Sequence, residues 1–394
     1  MNKSKLSPLL LLLSALLLLG GCSNTGQAPS GPGTDKTAPA QDAKSVEPVK
    51  KSYYIFDTIV QVKVYDGRIT DRHFDDIEKL LKTIDAEMSR TNNQSELDRI
   101  NDNAGVKPVQ VSKQTFEVIQ KAYDYSKLTK GRFNVAIGPL VTLWNIGSED
   151  AHVPKPSEIE ERLPLCDYRH IELKPDTREV YLKKKGMILD LGGIAKGYSA
   201  DVIAGYLTDN GFHSAIIDLG GNVLALGQKP GGHKWTIGIQ DPDMARGNPI
   251  GNLKVEDQTI VTSGVYERFF EQDGKAYHHI LDSDTGYPVD NNLSSVTILT
   301  ERSIDADALS TSLFSMGLEK GLAFAEELDH VEALFITKDK KSVHYSRHGR
   351  RSRHDQRWLH PHRKLTGRTC LFAGGHVLLP FSAGAQRTIR CREA

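Results

Sequence analysis

The tightest constraint on the fold is the order in which strand-like and helix-like runs succeed one another. From Ser52 onward they mix without a regular βαβ period, which favours an α+β domain over a doubly wound parallel sheet. YYIFDTIVQVKVYD (53–66) alternates apolar and polar residues, the period of a strand. Residues 72–90 place Phe74, Ile77, Leu80, Leu81, Ile84 and Met88 at helical spacing. Residues 113–128 do the same with Phe116, Val118, Ile119, Ala122 and Tyr123. GMILDLGGIAKGYSADVIAGYLTDNG (186–211) reads as a strand, a glycine turn and a helix. HSAIIDLGGNVLALG (213–227) reads as a hairpin turning at Gly220, Gly221 and Asn222. KWTIGIQDP, QTIVTSG and SSVTILT are further strands, and residues 308–328 have the pattern of a buried helix. The expectation is one mixed-sheet α+β domain over residues 52–340.

What flanks that domain has a different composition. MNKSKLSP is basic, LLLLLSALLLLGG is too short to span a membrane comfortably, and small residues precede Cys22. Residues 1–21 thus have the form of a bacterial lipoprotein signal, with Cys22 as the residue that receives lipid. An ordinary secretory signal is the plainer alternative. Residues 22–51 are rich in Ser, Gly, Pro, Thr and Ala and read as a flexible stalk.

The zero net charge hides a split. Residues 341–394 carry twelve Lys or Arg against Asp355 and Glu393, so residues 1–340 hold 38 basic and 48 acidic side chains. Such an acidic body argues against a nucleic-acid partner. For the last segment, HYSRHGRRSRHDQRWLHPHRKL, two readings stand. One is a basic tail for nucleic acid or anionic lipid. The other, which we favour, is a shift of reading frame: codons permitted for HYSRHGRRS, read one nucleotide later, can spell Ile-Thr-Pro-Gly-Met-Glu-Asp. The four cysteines show neither CxxC pairing nor zinc-like spacing.

Four stretches carry polar groups suited to chemistry, each with a plain structural alternative. LDLGGIAKGYSAD (189–201) puts Asp190 at the end of the expected strand, with glycines that let backbone approach a phosphate; a tight strand-to-helix connection explains it equally. YHHILDSDTGYP (277–288) has His278 and His279 on opposite faces of an expected strand, or is simply a hairpin closed by DSDTG. GRFNVAIGPLVTLW (131–144) sets Phe133, Asn134 and Pro139 among apolar residues, and offers Trp144 or Phe133 to a flat ring, or to the core. In DADALST (305–311), Asp307 and Thr311 share a helix face and suit a hard cation, with Ser310 beside them. Alternatively Asp305 or Asp307 caps the helix while Thr311 bonds back to its own turn.

Together with FDT (56–58), MSRTNNQSELDRIN (88–101), IIDLGGNVLALG (216–227), WTIGIQDP (235–242) and DADALSTSLFSMG (305–317), these stretches form an ordered series. Across residues 52–338 the series resembles the ApbE family of FAD:protein FMN transferases. The resemblance implies an enzyme that binds FAD and Mg²⁺, moves FMN onto a Ser or Thr hydroxyl of a target protein, and releases AMP. It implies a flavin-accepting subunit of a membrane redox complex, or an extracytoplasmic flavoprotein, as partner. It also suits an extracytoplasmic chain anchored to the bacterial membrane through Cys22. A metal-dependent FAD pyrophosphatase and a non-catalytic flavin-binding lipoprotein remain the rival classes.

Carried over position by position, the resemblance implies metal ligation by Asp307, Thr311 and the Gly193 carbonyl, with Ser310 where some members place a second carboxylate. It implies flavin or phosphate contacts from Phe56, Thr91, Arg132, Phe133, Asn134, Asp190, Lys196 and Ile280. Phe56 stands where many members have Met, and Thr91 where many have Tyr. His279 is the implied base or acid, Asp307 the implied catalytic carboxylate, and Lys196 an implied catalytic charge on phosphate.

Overall fold

The computed structural model describes residues 47–90, 92–339 and 342–345, with short strand pieces at Trp358–Leu359, Val377–Leu378 and Thr388–Ile389. All belong to one compact unit, Lys44–Ala394. Cys22 and its signal, most of the expected stalk, Thr91, and the tail beyond Tyr345 apart from those pieces lie outside the described residues.

The chain opens with β1 (Val49–Ile55) and β2 (Thr58–Val64), then α1 (Asp71–Met88) and α2 (Glu96–Asp102). After β3 (Val109–Gln110) come α3 (Lys113–Leu128), α4 (Gly138–Trp144) and α5 (Pro156–Arg162). β4 (Ile171–Lys174) and β5 (Glu179–Leu182) precede α6 (Ala195–Asp209), which leads into the hairpin β6 (Ser214–Leu219) and β7 (Asn222–Gly227). β8 (Trp235–Gln240) pairs with β9 (Pro249–Val255). β10 (Gln258–Gly264) is followed by a small hairpin, β11 (Phe269–Gln272) and β12 (Lys275–His278). β13 (Leu293–Thr300), α7 (Ser303–Glu327), β14 (Glu332–Thr337) and β15 (Ser342–Tyr345) complete the main body.

Its centre is a sheet in the order β1-β2-β6-β7-β10-β13-β14-β15. Every ladder in it is antiparallel, where a mixed sheet was expected. Neighbouring residues of the central strands face opposite layers, as the period of two requires. Val261, Ile298 and Phe335 join the cluster containing Leu313 and Phe314 of α7. Ile260, Leu299 and Leu334 instead pack with Trp235 and Leu253 of the β8–β9 pair. β13 is therefore buried along its whole length.

Several expected elements move. Residues 53–66 form two strands, because Phe56 and Asp57 both take left-handed conformations (φ 55° and 53°) and reverse the chain. β1 starts at Val49, so the ordered body begins before Ser52. Ser342–Tyr345 pairs with β14, so the domain runs past residue 340. Met187–Leu191 is not a strand of any sheet; it is held instead by single bonds, the Asp190 N–H donating to the Val135 carbonyl (2.9 Å) and the Leu189 N–H to Asn101 Oδ1 (2.7 Å). Neither Asp305 nor Asp307 caps α7: Asp201 of α6 accepts from the Ser303 and Ile304 N–H groups (2.8 and 3.1 Å). Asp305 pairs with Lys121 (2.7 Å) and accepts from the Tyr125 hydroxyl (2.8 Å). Among the described residues no helix is long and apolar enough to cross a membrane.

Candidate active site

The site begins where α6 and α7 cross. A Cβ added at Gly197 would lie 2.2 Å from the Ser303 carbonyl oxygen and 2.8 Å from Ile304 Cα. Glycine is thus the residue that lets the first turns of the two helices touch. That contact, with the Asp201 cap, brings Asp307 of α7 against the start of α6. There the Gly197 N–H donates to Asp307 Oδ2 at 2.9 Å. Among the described residues Asp307 Oδ1 has no donor. Burial pushes the Asp307 carboxyl above its ordinary pKa, while Lys196 and the Gly197 N–H pull it back.

Thr311 lies one turn further along α7. The turn before α6 approaches it closely: a Cβ on Gly193 would be 3.7 Å from Thr311 Oγ1 and 3.1 Å from the Phe133 ring. Gly193, Asp307 and Thr311 line one cavity of about 880 Å³, within the usual size range of a small-molecule site. Ser310 does not line it. Its hydroxyl donates to the Asp307 carbonyl (3.0 Å) and meets Ser263 Oγ (2.8 Å), an outcome of its fully buried position. Among the described residues no group of three or more His, Cys, Asp or Glu is placed to hold a metal. A cation here would rest on one carboxylate, one hydroxyl and a backbone carbonyl, all hard oxygen donors of the kind Mg²⁺ takes.

The walls come from four other segments. The loop after α3 supplies Arg132, Phe133 and Asn134. Arg132 is held by Asp282 and Asp284 (3.0 and 2.9 Å), and Asn134 Nδ2 donates to the Cys166 carbonyl (2.7 Å). Asp190 accepts from the Gly192 N–H (2.7 Å) and pairs with Arg90 (3.0 Å). Lys196, on the first turn of α6, has no ion pair among the described residues. The turn at Phe56 closes one side.

The segment after β12 supplies His279 and Ile280. Its two histidines separate as alternation requires: His278 is buried, its Nε2 3.0 Å from the Val289 carbonyl, while His279 lines the cavity. His279 Nδ1 lies 3.2 Å from the Arg268 carbonyl. A carbonyl only accepts, so Nδ1 bears the proton and Nε2 keeps its lone pair. Desolvation, helped by the Lys196 and Arg268 charges, lowers the His279 pKa to about 4. The imidazole is neutral at pH 7.

The cavity therefore unites Phe56, Arg132, Phe133, Asn134, Asp190, Gly193, Lys196, His279, Ile280, Asp307 and Thr311, which are scattered over the chain. It also contains residues that the motifs did not single out. Arg90 and Arg246 are each paired, with Asp190 and Glu267 respectively. Arg268 lines the cavity with no ion pair among the described residues. Its only sequence signal is closeness to the YHH stretch.

The ApbE family model matches residues 56–335, which contain every part of this cavity described above. An FAD:protein FMN transferase of Klebsiella pneumoniae is 41% identical over 285 residues, covering 72% of this chain and 87% of the relative. One from Treponema pallidum is 39% identical over 312 residues, covering 75% and 86%. The crystal structure of an ApbE protein from Thermotoga maritima superimposes with a TM-score of 0.69 at 32% identity, covering 75% of this chain and 96% of that one. The flavin transferase ApbE of Vibrio cholerae gives a TM-score of 0.69 at 31% identity, covering 76% and 96%. The chain belongs to the ApbE family.

Proposed function

We infer from family membership that this chain is an FAD:protein FMN transferase, which moves FMN from FAD to Ser or Thr hydroxyls of an acceptor protein and releases AMP. The observation that best supports the residue roles is the meeting of Asp307, Thr311, Lys196 and His279 in one cavity.

In the reaction, the acceptor oxygen bonds to the FMN-side phosphorus of FAD as the bond from that phosphorus to the bridging oxygen breaks. AMP departs with the bridging oxygen. The acceptor hydroxyl loses its proton to His279, whose neutral ring and Nδ1–H bond to Arg268 leave Nε2 as the base. Lys196 places a positive charge beside the pyrophosphate. Phe133 gives the cavity a flat apolar wall, and Arg132 and Asn134 are fixed by their own partners. Asp307, Thr311 and the Gly193 carbonyl would hold Mg²⁺, which when bound neutralises charge developing on the pyrophosphate. Ser310 is committed to hydrogen bonds within the protein and is not part of that set.

An extracytoplasmic, lipoprotein location is consistent with the family. We assign the lipid to Cys22, residues 22–48 to the stalk, and the acceptor to an extracytoplasmic flavoprotein or a subunit of a membrane redox complex. Cys22→Ser is expected to move the protein from the membrane to the soluble fraction; retention at the membrane would refute the anchor. Incubation with FAD and Mg²⁺, with and without an acceptor domain, tests the chemistry. Covalent FMN on the acceptor with little AMP in its absence supports transfer. Rapid AMP release without acceptor, and no flavin on protein, would make the chain a pyrophosphatase.

A further inference from the structure

We propose that the outer edge of β1 is the docking strand for the flavin acceptor, which adds to it as an extended segment and so carries its Ser or Thr to the cavity. The proposal rests on the transferase reading above. β1 ends the main sheet, and among the described residues no strand pairs with its outer side.

The register fixes which backbone groups are free. The two-residue turn Phe56–Asp57 sets Ile55 opposite Thr58. In an antiparallel ladder, hydrogen-bonded pairs alternate with pairs that are not bonded. Val49, Lys51, Tyr53 and Ile55 thus direct their N–H and C=O groups to β2. Those of Lys50, Ser52 and Tyr54 point outward. Read toward the cavity, the outward residues run charged, polar, aromatic.

That gradient is informative. A free edge invites pairing with other chains, and proteins usually blunt it with charge. Lys50 does so at the far end. At the near end the edge is left apolar: Tyr54 is 78% exposed, and its cross-strand partner Ile59 is 64% exposed. Scattered exposed apolar residues are ordinary, but here two large ones sit side by side next to unpaired backbone. This patch is continuous with the active site, since Tyr54, Ile55, Phe56, Asp57 and Thr58 also line the cavity.

The reaction names the occupant. A reacting hydroxyl must come within about 3–3.5 Å of phosphorus. Ser and Thr side chains are short, so the acceptor's own backbone must enter the mouth. An extended chain is narrow enough, and its backbone groups need partners. The outward groups of Lys50, Ser52 and Tyr54 supply them in the manner of strand addition, with Tyr54 and Ile59 as the apolar contact.

The edge is tested with the full chain and an acceptor domain that it flavinylates. Ser52→Pro removes one outward N–H and leaves the ladder to β2 intact, as proline is tolerated on an edge strand with its missing donor toward solvent. Ser52→Ala keeps the N–H. Lys50→Pro is a second such removal, should the first variant fail to fold. The expected result is a rise of roughly tenfold in acceptor KM for either proline variant, the scale of a lost hydrogen bond plus ring clash. FAD affinity should stay at the parent value, and Ser52→Ala should behave as the parent does.

Unchanged acceptor KM in a proline variant that still binds FAD overturns the proposal. So does a proline variant that only converts a two-copy assembly to a single chain, because the edge then serves a second copy. If the parent binds FAD but adds FMN to no acceptor, the transferase reading itself falls and takes the docking strand with it.

Discussion

The floor and the rim of the cavity are built on opposite terms. On the floor, α6 and α7 touch through Gly197, Asp201 caps α7, and Asp307 is almost fully buried. On the rim, the β1–β2 hairpin exposes Tyr54 and Ile59, and Arg246 reaches from the β8–β9 loop to the Gly220 carbonyl (2.9 Å) with two-thirds of its side chain in solvent. A buried, over-tied floor suits groups that must keep one geometry through a phosphoryl transfer. An exposed rim suits a surface that admits a large substrate and lets it go. Floor substitutions should accordingly cut catalysis or folding, and rim substitutions should alter only substrate entry.

The largest effect is expected at Asp307. Asp307→Ala should lower FMN transfer by at least about 10³-fold, the several kcal/mol that a well-held cation supplies. A loss below tenfold at saturating Mg²⁺, measured as flavin bound per acceptor, would take Asp307 out of the chemistry. Next is Gly197→Ala, whose added methyl meets backbone and not a movable side chain. It should destabilise the fold by about 3 kcal/mol, the upper part of the range for overpacking, read from urea unfolding. A stability equal to the parent's would mean that the α6–α7 contact is looser than described.

His279→Gln should cost about 10²-fold in rate while FAD still binds. The pH profile sharpens this. An ordinary histidine loses its base function as pH falls through about 6.5. Here desolvation lowers the His279 pKa to about 4, so the free enzyme keeps a neutral ring well below pH 6. The acid limb of kcat/KM for FAD should therefore lie below pH 5 and vanish in His279→Gln. A limb centred near 6.5 would contradict the desolvation of that ring. The smallest effect is expected between floor and rim: Arg268→Ala should weaken FAD binding by roughly tenfold, with riboflavin binding unchanged, because an exposed charge is partly screened. Equal loss for both ligands would show that Arg268 acts on shape and not on phosphate charge.

The same division explains what the sequence disclosed. The Gly220–Gly221 turn was legible because glycine there announces a reversal. The Phe56–Asp57 turn was not, because a bulky Phe at positive φ carries none of the usual Asn-Gly signal. α3 agrees end to end with its apolar period. The α7 cap was misplaced because its carboxylate comes from Asp201, about a hundred residues away, and no local spacing reveals such a partner. At the site, the four-residue spacing of Asp307 and Thr311 disclosed a shared helix face. It did not disclose that Ser310, one position before Thr311, turns toward Ser263. Adjacent residues on a helix diverge by about 100°, so which one meets the cavity depends on what packs around the helix. Arg268 was invisible for a related reason: that an arginine has no ion pair among the described residues depends on where carboxylates lie elsewhere in the fold.

The most direct test of the account is the intact mass of an acceptor domain after incubation with this chain, FAD and Mg²⁺, beside the same reaction with Asp307→Ala. The account predicts a mass increase of one FMN on a Ser or Thr of the acceptor with the parent chain, AMP in equal amount, and neither with the variant. An acceptor of unchanged mass while the parent chain binds FAD, or equal flavin transfer by the variant, would contradict it.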